Sequence, residues 1–308
     1  MDFFDKLLPY LLSGISVGGQ YALIAVGYTM VYGILRLINF AHGDVFMVAG
    51  LMMVYAVTWM PLWLAIPFVI VFTVLLGFII ERVAYKPLRS APRMSVMISA
   101  IGVSYLLQNL ALYITGGLNK NYPTMPWISD TVSIFGATTK VVTLVTPVLT
   151  LILVVLLVQL INHTKIGMAM RAVAKDFETS TIMGIKINNV ISMTFIIGSF
   201  LAAIGSMLFF TNYPGVTPTV GAMPGLKAFV AAVFGGIGSI PGAVIGAFII
   251  GICENIIKGL DTLLVAYGVI PTGIGLSTFA DAFTFVLLII ILVFKPTGLF
   301  GEKATDKV

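Results

Sequence analysis

Long apolar runs separated by short polar segments organise the chain, at about residues 10–34, 45–60, 63–80, 94–115, 141–162, 188–211, 227–257 and 277–294. A helix rises about 1.5 Å per residue, so about 20 apolar residues carry it across the hydrocarbon of a bilayer. Most of these runs therefore predict transmembrane helices. Two depart from the rule: 45–60 is short, and 227–257 is too long and too glycine-rich to be one straight helix. The pattern predicts an all-α polytopic membrane protein of about eight transmembrane helices with broken or re-entrant segments, built as a single domain over residues 1–308.

Composition strengthens that reading. Of 308 residues, 59% are hydrophobic and 9% charged, whereas a soluble domain carries about 25% charged residues. A soluble two-domain enzyme, a disordered chain, collagen and a coiled coil are all excluded. Cys253 is the single cysteine, so neither an intrachain disulfide nor a cysteine metal cluster can form. The net charge of +5 raises the question of nucleic acid, but the basic residues fall in short loops between apolar runs and form no patch. They report membrane orientation instead.

Lysine and arginine concentrate in cytoplasmic loops. Arg82, Lys86, Arg89 and Arg93 fall in one loop, 82–93, and Lys165, Arg171, Lys175 and Lys186 in another, 164–187. Both are expected to be cytoplasmic, and the intervening loop 116–140 extracytoplasmic. The N-terminus has acidic residues where a signal peptide has basic ones, so it is read as mature sequence, and counting back through the spans places it outside. Trp59, Trp63 and Trp127 then lie near the external boundary. A break inside the membrane at 235–242, with two short pieces entering and returning, would leave the tail with Lys295, Lys303 and Lys307 in the cytoplasm.

No catalytic centre is visible. His42 and His163 lie on different segments with no carboxylate at ligand spacing, which leaves no metal or triad motif. No lysine follows a glycine, so the chain contains no P-loop. The informative segments are the interruptions. Residues 33–44 place Arg36, Asn39, His42 and Asp44 between two apolar runs; Asp44 suits a helix N-cap, and Asn39, His42 and Gly43 suit a discontinuous helix on a translocation path. Residues 233–246 repeat the design with Gly235, Gly236, Gly238 and Ser239. Gly43, Gly50, Gly242, Gly246 and Gly251 suit close helix packing. Two breaks in corresponding halves suggest an internal structural repeat with the path between the halves.

In the loop 164–187, small and apolar residues alternate with charges over about three helical turns, ending at Gly184 as a C-terminal cap. Arg171, Asp176, Glu178, Thr179, Ser180 and Gly184 are candidates for docking a soluble partner. Lys227, Glu254, Lys258 and Asp281 lie in or beside spans, with Glu254 deepest; an ion or proton relay is the alternative use for them.

The segments GYTMVYGILRLINFAHGDVFM, ERVAYKPLR, VFGGIGSIPGAVIGAFIIG and KPTGLFG resemble the integral membrane permeases of bacterial branched-chain amino-acid ABC importers, specifically the H-type subunit, over roughly residues 10–300. The resemblance implies a multi-pass protein of the bacterial inner membrane, with no cofactor of its own and no bond chemistry. It also implies a related M-type permease, two cytoplasmic ATPases that use the ATP, and an extracytoplasmic binding protein delivering leucine, isoleucine or valine. Glu178-Thr179-Ser180-x-x-x-Gly184 is similar to the E-A-A-x-x-x-G element by which importer permeases contact their ATPases, with Thr179 and Ser180 in place of two alanines. Alternating access follows as the expected mechanism. Related permeases carry urea, short amides, nucleosides or sugars, and from other classes an ion-coupled secondary transporter using Glu254 or a passive channel are the rivals.

Overall fold

A computed structural model describes residues 3–89, 91–134, 137–268 and 275–301. Eleven α-helices run through these residues: α1 (Phe3–Leu35), α2 (His42–Trp59), α3 (Leu62–Ile80), α4 (Arg93–Thr115), α5 (Val141–His163), α6 (Lys165–Lys175), α7 (Phe177–Ile182), α8 (Ile187–Asn212), α9 (Ala222–Gly235), α10 (Ile240–Ala266) and α11 (Ala280–Phe294). Among the described residues, eight helical segments are long and apolar enough to cross a membrane. Among the described residues, strand pairing is confined to two small antiparallel ladders, β1 (Lys120–Asn121) with β4 (Gly215–Val216), and β2 (Thr131–Ile134) with β3 (Ala137–Lys140). The all-α polytopic reading holds.

The bundle has two chemically distinct ends. One carries the basic segments 82–93 and 164–187; the other carries the ladders. α1 and α10 form an antiparallel seam between them, with Tyr10 against Gly259, Gly14 and Gly18 against Gly251, and Gly33 facing Gly238. Glycine is needed here because backbone meets backbone: a Cβ on Gly251 would lie 2.7 Å from the Gly14 carbonyl oxygen. Without water to drive apolar surfaces together, close packing of small residues holds membrane helices. Gly50 does the same against the Phe210 ring and Gly246 against the Ala231 carbonyl.

Two of the helices begin inside the bundle. α1 ends at Leu35, yet the imidazole of His42, first residue of α2, lies against Gly27. Gly27 is eight residues before the end of α1, so α2 starts about 12 Å back along it. Residues 36–41 make that return as non-helical chain, beginning with Arg36 in the left-handed region at φ 55°. The second instance runs the other way. α8 ends at Asn212 beside the ladders, residues 213–221 return inward past the β1–β4 pair, and α9 starts at Ala222 next to Gly43.

A long helix, an extended return and a helix that starts inside the bundle thus occur twice with opposite direction. This is the expected repeat with a different pairing. The counterpart of 36–41 is 213–221, Tyr-Pro-Gly-Val-Thr-Pro-Thr-Val-Gly, and not the glycine-rich 235–242. The latter is a tight joint at the basic end, and α10 beyond it is a span of 27 residues, so 227–257 does not enter and return as two short pieces. Hydropathy hid this because the inward return is polar and proline-rich, and only its second half is apolar helix.

The joint is closed by the segment after α11. The N–H of Leu299 donates to the Phe234 carbonyl (3.0 Å) and that of Phe300 to the Gly235 carbonyl (2.9 Å). These are carbonyls at the end of α9 that have no intrahelical partner. The last described residues therefore lie at the basic end, opposite the start of α1; Lys303 and Lys307 are outside the described residues.

Replacing Gly251 with leucine should break the α1–α10 seam at a cost of about 1–3 kcal/mol. Gly102, with nothing within 4 Å of a Cβ, is the control. Thermal unfolding in detergent should show a lowered midpoint for Gly251→Leu and none for Gly102→Leu.

Candidate functional site: a polar cleft between two half-helices

The first turns of α2 and α9 meet head to head. A Cβ on Gly43 would lie 2.6 Å from the Gly221 carbonyl oxygen, and one on Gly225 would lie 2.8 Å from the Gly43 Cα. Beside this contact opens a cleft of about 360 Å³. It is lined by Tyr28 and Phe40, by Ile101, Ser104, Tyr105 and Gln108 of α4, by Gly221, Ala222, Gly225, Leu226 and Phe229, and by Gly43 and Asp44. Tyr28 is fixed edge-on to Phe229, with centroids 5.9 Å apart, and to His42, at 5.1 Å.

Asp44 is the charged group of this cleft. Its carboxylate does not cap α2, whose N-cap Ala41 has no side-chain bond. It turns to α4, where Ser104 Oγ donates to Oδ2 and Gln108 Nε2 donates to Oδ1 at 3.0 Å. Ser104 and Gln108 are one helical turn apart, so a single face of α4 presents both donors.

The neighbours expected on the path occupy other positions. Asn39 is buried below the cleft, and its Oδ1 accepts the Tyr85 hydroxyl at 2.8 Å. His42 is buried against Gly27 and Gly198 and does not line the cleft. Gly235, Gly236, Gly238 and Ser239 form the α9–α10 joint. Gly236 (φ 109°) and Gly238 (φ 99°) supply backbone open to glycine, and Ser239 Oγ accepts the Gly242 N–H to cap α10. Of the expected path residues, Gly43 alone touches the cleft.

Tyr85 belongs to a turn of π-helix, Glu81–Tyr85, that prolongs α3. Its Glu81 is fully buried, pairs with Arg89, and accepts the Ser192 hydroxyl of α8 at 2.8 Å. Arg89 also donates to Asn188 at the start of α8. Burial pulls the Arg89 guanidinium below its ordinary value, opposed by the adjacent Glu81 carboxylate. A chain of hydrogen bonds therefore joins the start of α8 to the start of α2.

The segment before α8 is two helices rather than the single three-turn helix expected. Asp176 separates them: its Oδ1 accepts the N–H groups of Glu178 and Thr179, starting α7 afresh. Gly184, at φ 81°, ends α7 in a Schellman motif, with Gly184 N–H donating to Thr181 and Ile185 N–H to Ser180. Glu178 and Thr179 are exposed and Ser180 is buried. Arg171 ties α6 to the end of α5 through Asn162.

Glu254 lies outside the cleft. It accepts Lys227 at 2.9 Å and Lys258 at 2.6 Å, Lys227 also meets Asp281 at 2.6 Å, and Tyr21 donates to Glu254 at 3.1 Å. Two cations and two anions cancel. The cluster bolts α9 to α1, α10 and α11. It has the form of a structural clamp rather than a relay.

Sequence reasoning missed Tyr28, Ser104, Gln108, Gly221, Gly225 and Phe229. A signal existed in part. Ser104 and Gln108 are a polar pair at helical spacing inside the apolar run 94–115, and Gly221 and Gly225 are small residues at the same spacing.

A model of the family described as branched-chain amino acid transport system, permease component, matches residues 10–293. The chain is 38% identical to the high-affinity branched-chain amino acid transport system permease protein BraD of Pseudomonas aeruginosa, over 98% of both chains. It is 39% identical to LivH of Escherichia coli K12, a protein of the same description, over 99% of both chains. Similarity extends to the ribose import permease RbsC of Haemophilus influenzae, 28% identical over 84% of this chain and 80% of that one.

The Tyr85–Asn39 bond should be energetically real. Tyr85→Phe and Asn39→Ala should each cost about 1–3 kcal/mol by leaving or removing a buried polar partner. The double variant should cost less than the sum by about 1 kcal/mol, read from unfolding midpoints in a double-mutant cycle.

Proposed function

The chain belongs to the family of branched-chain amino acid transport system permeases, and from that premise we propose how it works within an ATP-driven importer. It forms half of the membrane path. A related permease of the M type covers the cleft and forms the other half, two ATPases dock on α6 and α7, and a binding protein delivers leucine, isoleucine or valine at the ladder end. In this arrangement the basic end is cytoplasmic, the start of α1 external, and the tail cytoplasmic.

One observation carries the reading: a polar cleft with a buried carboxylate opens at the surface of a single chain, where two half-helices meet. Lipid is a poor cover for such a surface, because ionisable groups are costly in hydrocarbon. Irregular backbone at membrane depth is tolerated where protein buries it or where it lines a wet cavity. A second permease satisfies both conditions and places the path between the two subunits.

The basic end suits a motor. Ile182 is 85% exposed and Met183 76% exposed at the end of α7, a pair of apolar side chains with no lipid to cover them in a loop. α8 begins four residues after Met183. Displacement of α7 by a closing ATPase is passed to Asn188 and Ser192, then through Arg89 and Glu81 to Tyr85, and from Tyr85 to Asn39 before α2. The half-helix at the cleft is thereby tied to the docking surface, as alternating access requires. The neutralised Glu254 cluster supports neither ion coupling nor a proton relay.

In proteoliposomes holding both permeases and both ATPases, leucine uptake should require ATP and the binding protein; accumulation without ATP would contradict the reading. Exchanging Ile182 and Met183 for glutamate should reduce co-purified ATPase and ATP-driven uptake by at least tenfold. Retention of both would remove α7 as the docking surface.

A further inference from the structure

Of the four buried carboxylates among the described residues, two have cationic partners. Glu81 pairs with Arg89, and Glu254 with Lys227 and Lys258. Asp261, near the end of α10, has a neutral partner, accepting the Leu276 N–H, and does not line the cleft. Asp44 is 2% exposed, and its partners among the described residues are the neutral Ser104 and Gln108. It also lines the cleft.

Removing a carboxylate from water without a counter-charge costs several kcal/mol, whereas a cation with hydrogen-bond geometry offsets most of that cost. Two hydroxyl or amide donors hold and orient the carboxylate; they do not neutralise it. A cation from outside the chain would supply the missing counter-charge, and the cleft is the route to it.

We propose that Asp44 is the recognition site for the α-ammonium group of the amino acid in transit. This rests on the family reading above and deepens it by assigning a residue. An ammonium carries three donors and can bond the carboxylate while Ser104 and Gln108 keep it turned toward the cleft. The cleft walls suit the rest of an aliphatic amino acid. Tyr28, Phe40, Ile101, Leu226 and Phe229 line the same cleft as the carboxylate, and the cleft volume of about 360 Å³ lies within the range of small-molecule sites. The site therefore discriminates by charge at one end and by apolar contact at the other. A solute of similar shape without a cationic group leaves Asp44 unpaired and crosses slowly.

The test uses the assembled transporter in proteoliposomes, with radiolabelled L-leucine as the probe, ATP inside and the binding protein outside. Asp44→Asn keeps the size of the side chain and removes its charge, with one acceptor oxygen in place of two; Asp44→Glu keeps the charge. Only complexes that co-purify with their ATPases are compared, which separates transport from assembly. Asp44→Asn should lower leucine uptake at least tenfold, and Asp44→Glu should retain at least three times the uptake of Asp44→Asn. Uptake by Asp44→Asn within twofold of wild type overturns the assignment, as does equal loss in the two variants. Failure of the wild-type complex to take up leucine would instead overturn the proposed function, so the two failures are distinguishable.

Discussion

A helix that starts in the middle of a membrane protein must bury its first backbone groups against protein, and this chain meets that constraint twice at one place. α2 and α9 enter from opposite ends and abut through Gly43, Gly221 and Gly225. The approach is close enough that no side chain fits between the backbones. Most of what is particular to the structure follows from it: the extended returns at 36–41 and 213–221, the inverted repeat they create, and the cleft that opens where two half-helices fail to fill the space of a full one. The α1–α10 glycine seam and the Glu254 clamp hold this centre from outside.

Charge is used sparingly and in three ways. At the basic end, Arg171 ties α6 to α5, and Arg89 ties the start of α8 to the turn that prolongs α3. Within the body, Lys227, Glu254, Lys258 and Asp281 cancel one another and fasten helices. Asp44 is different, held by neutral donors where it lines an open cleft. Breaking a compensated pair costs stability, whereas an uncompensated carboxylate is free to bind. That contrast separates structure from transport in a chain with 9% charged residues.

Much of this was legible in the sequence, for physical reasons that also explain the rest. Apolar run length is dictated by bilayer thickness, so the spans from 10 to 211 lie close to their structural positions. The cap at Gly184 was legible because a left-handed residue after a short helix favours glycine. The split at Asp176 was not anticipated, since an aspartate inside an amphipathic stretch reads equally as a solvated face. The second half-helix was misplaced because glycine density at 235–242 drew attention to a joint, while the true return at 213–221 is polar and resembles an ordinary loop. His42 and Asn39 looked like path residues by composition alone. Which way a side chain turns depends on tertiary neighbours, here Gly27, Gly198 and Tyr85, which the sequence does not order in space.

The central claim is that the meeting point of α2 and α9 is the transport path. It can be tested by thiol accessibility, because Cys253 is the single native cysteine. Leu226→Cys, placed at the cleft in a Cys253→Ala background of the assembled transporter, should react with a membrane-impermeant thiol reagent from one side of the membrane without nucleotide. With ATP trapped on the ATPases, reactivity from that side should fall and reactivity from the other side should rise. Reactivity that is absent from both sides, or unchanged between the two states, would contradict the account.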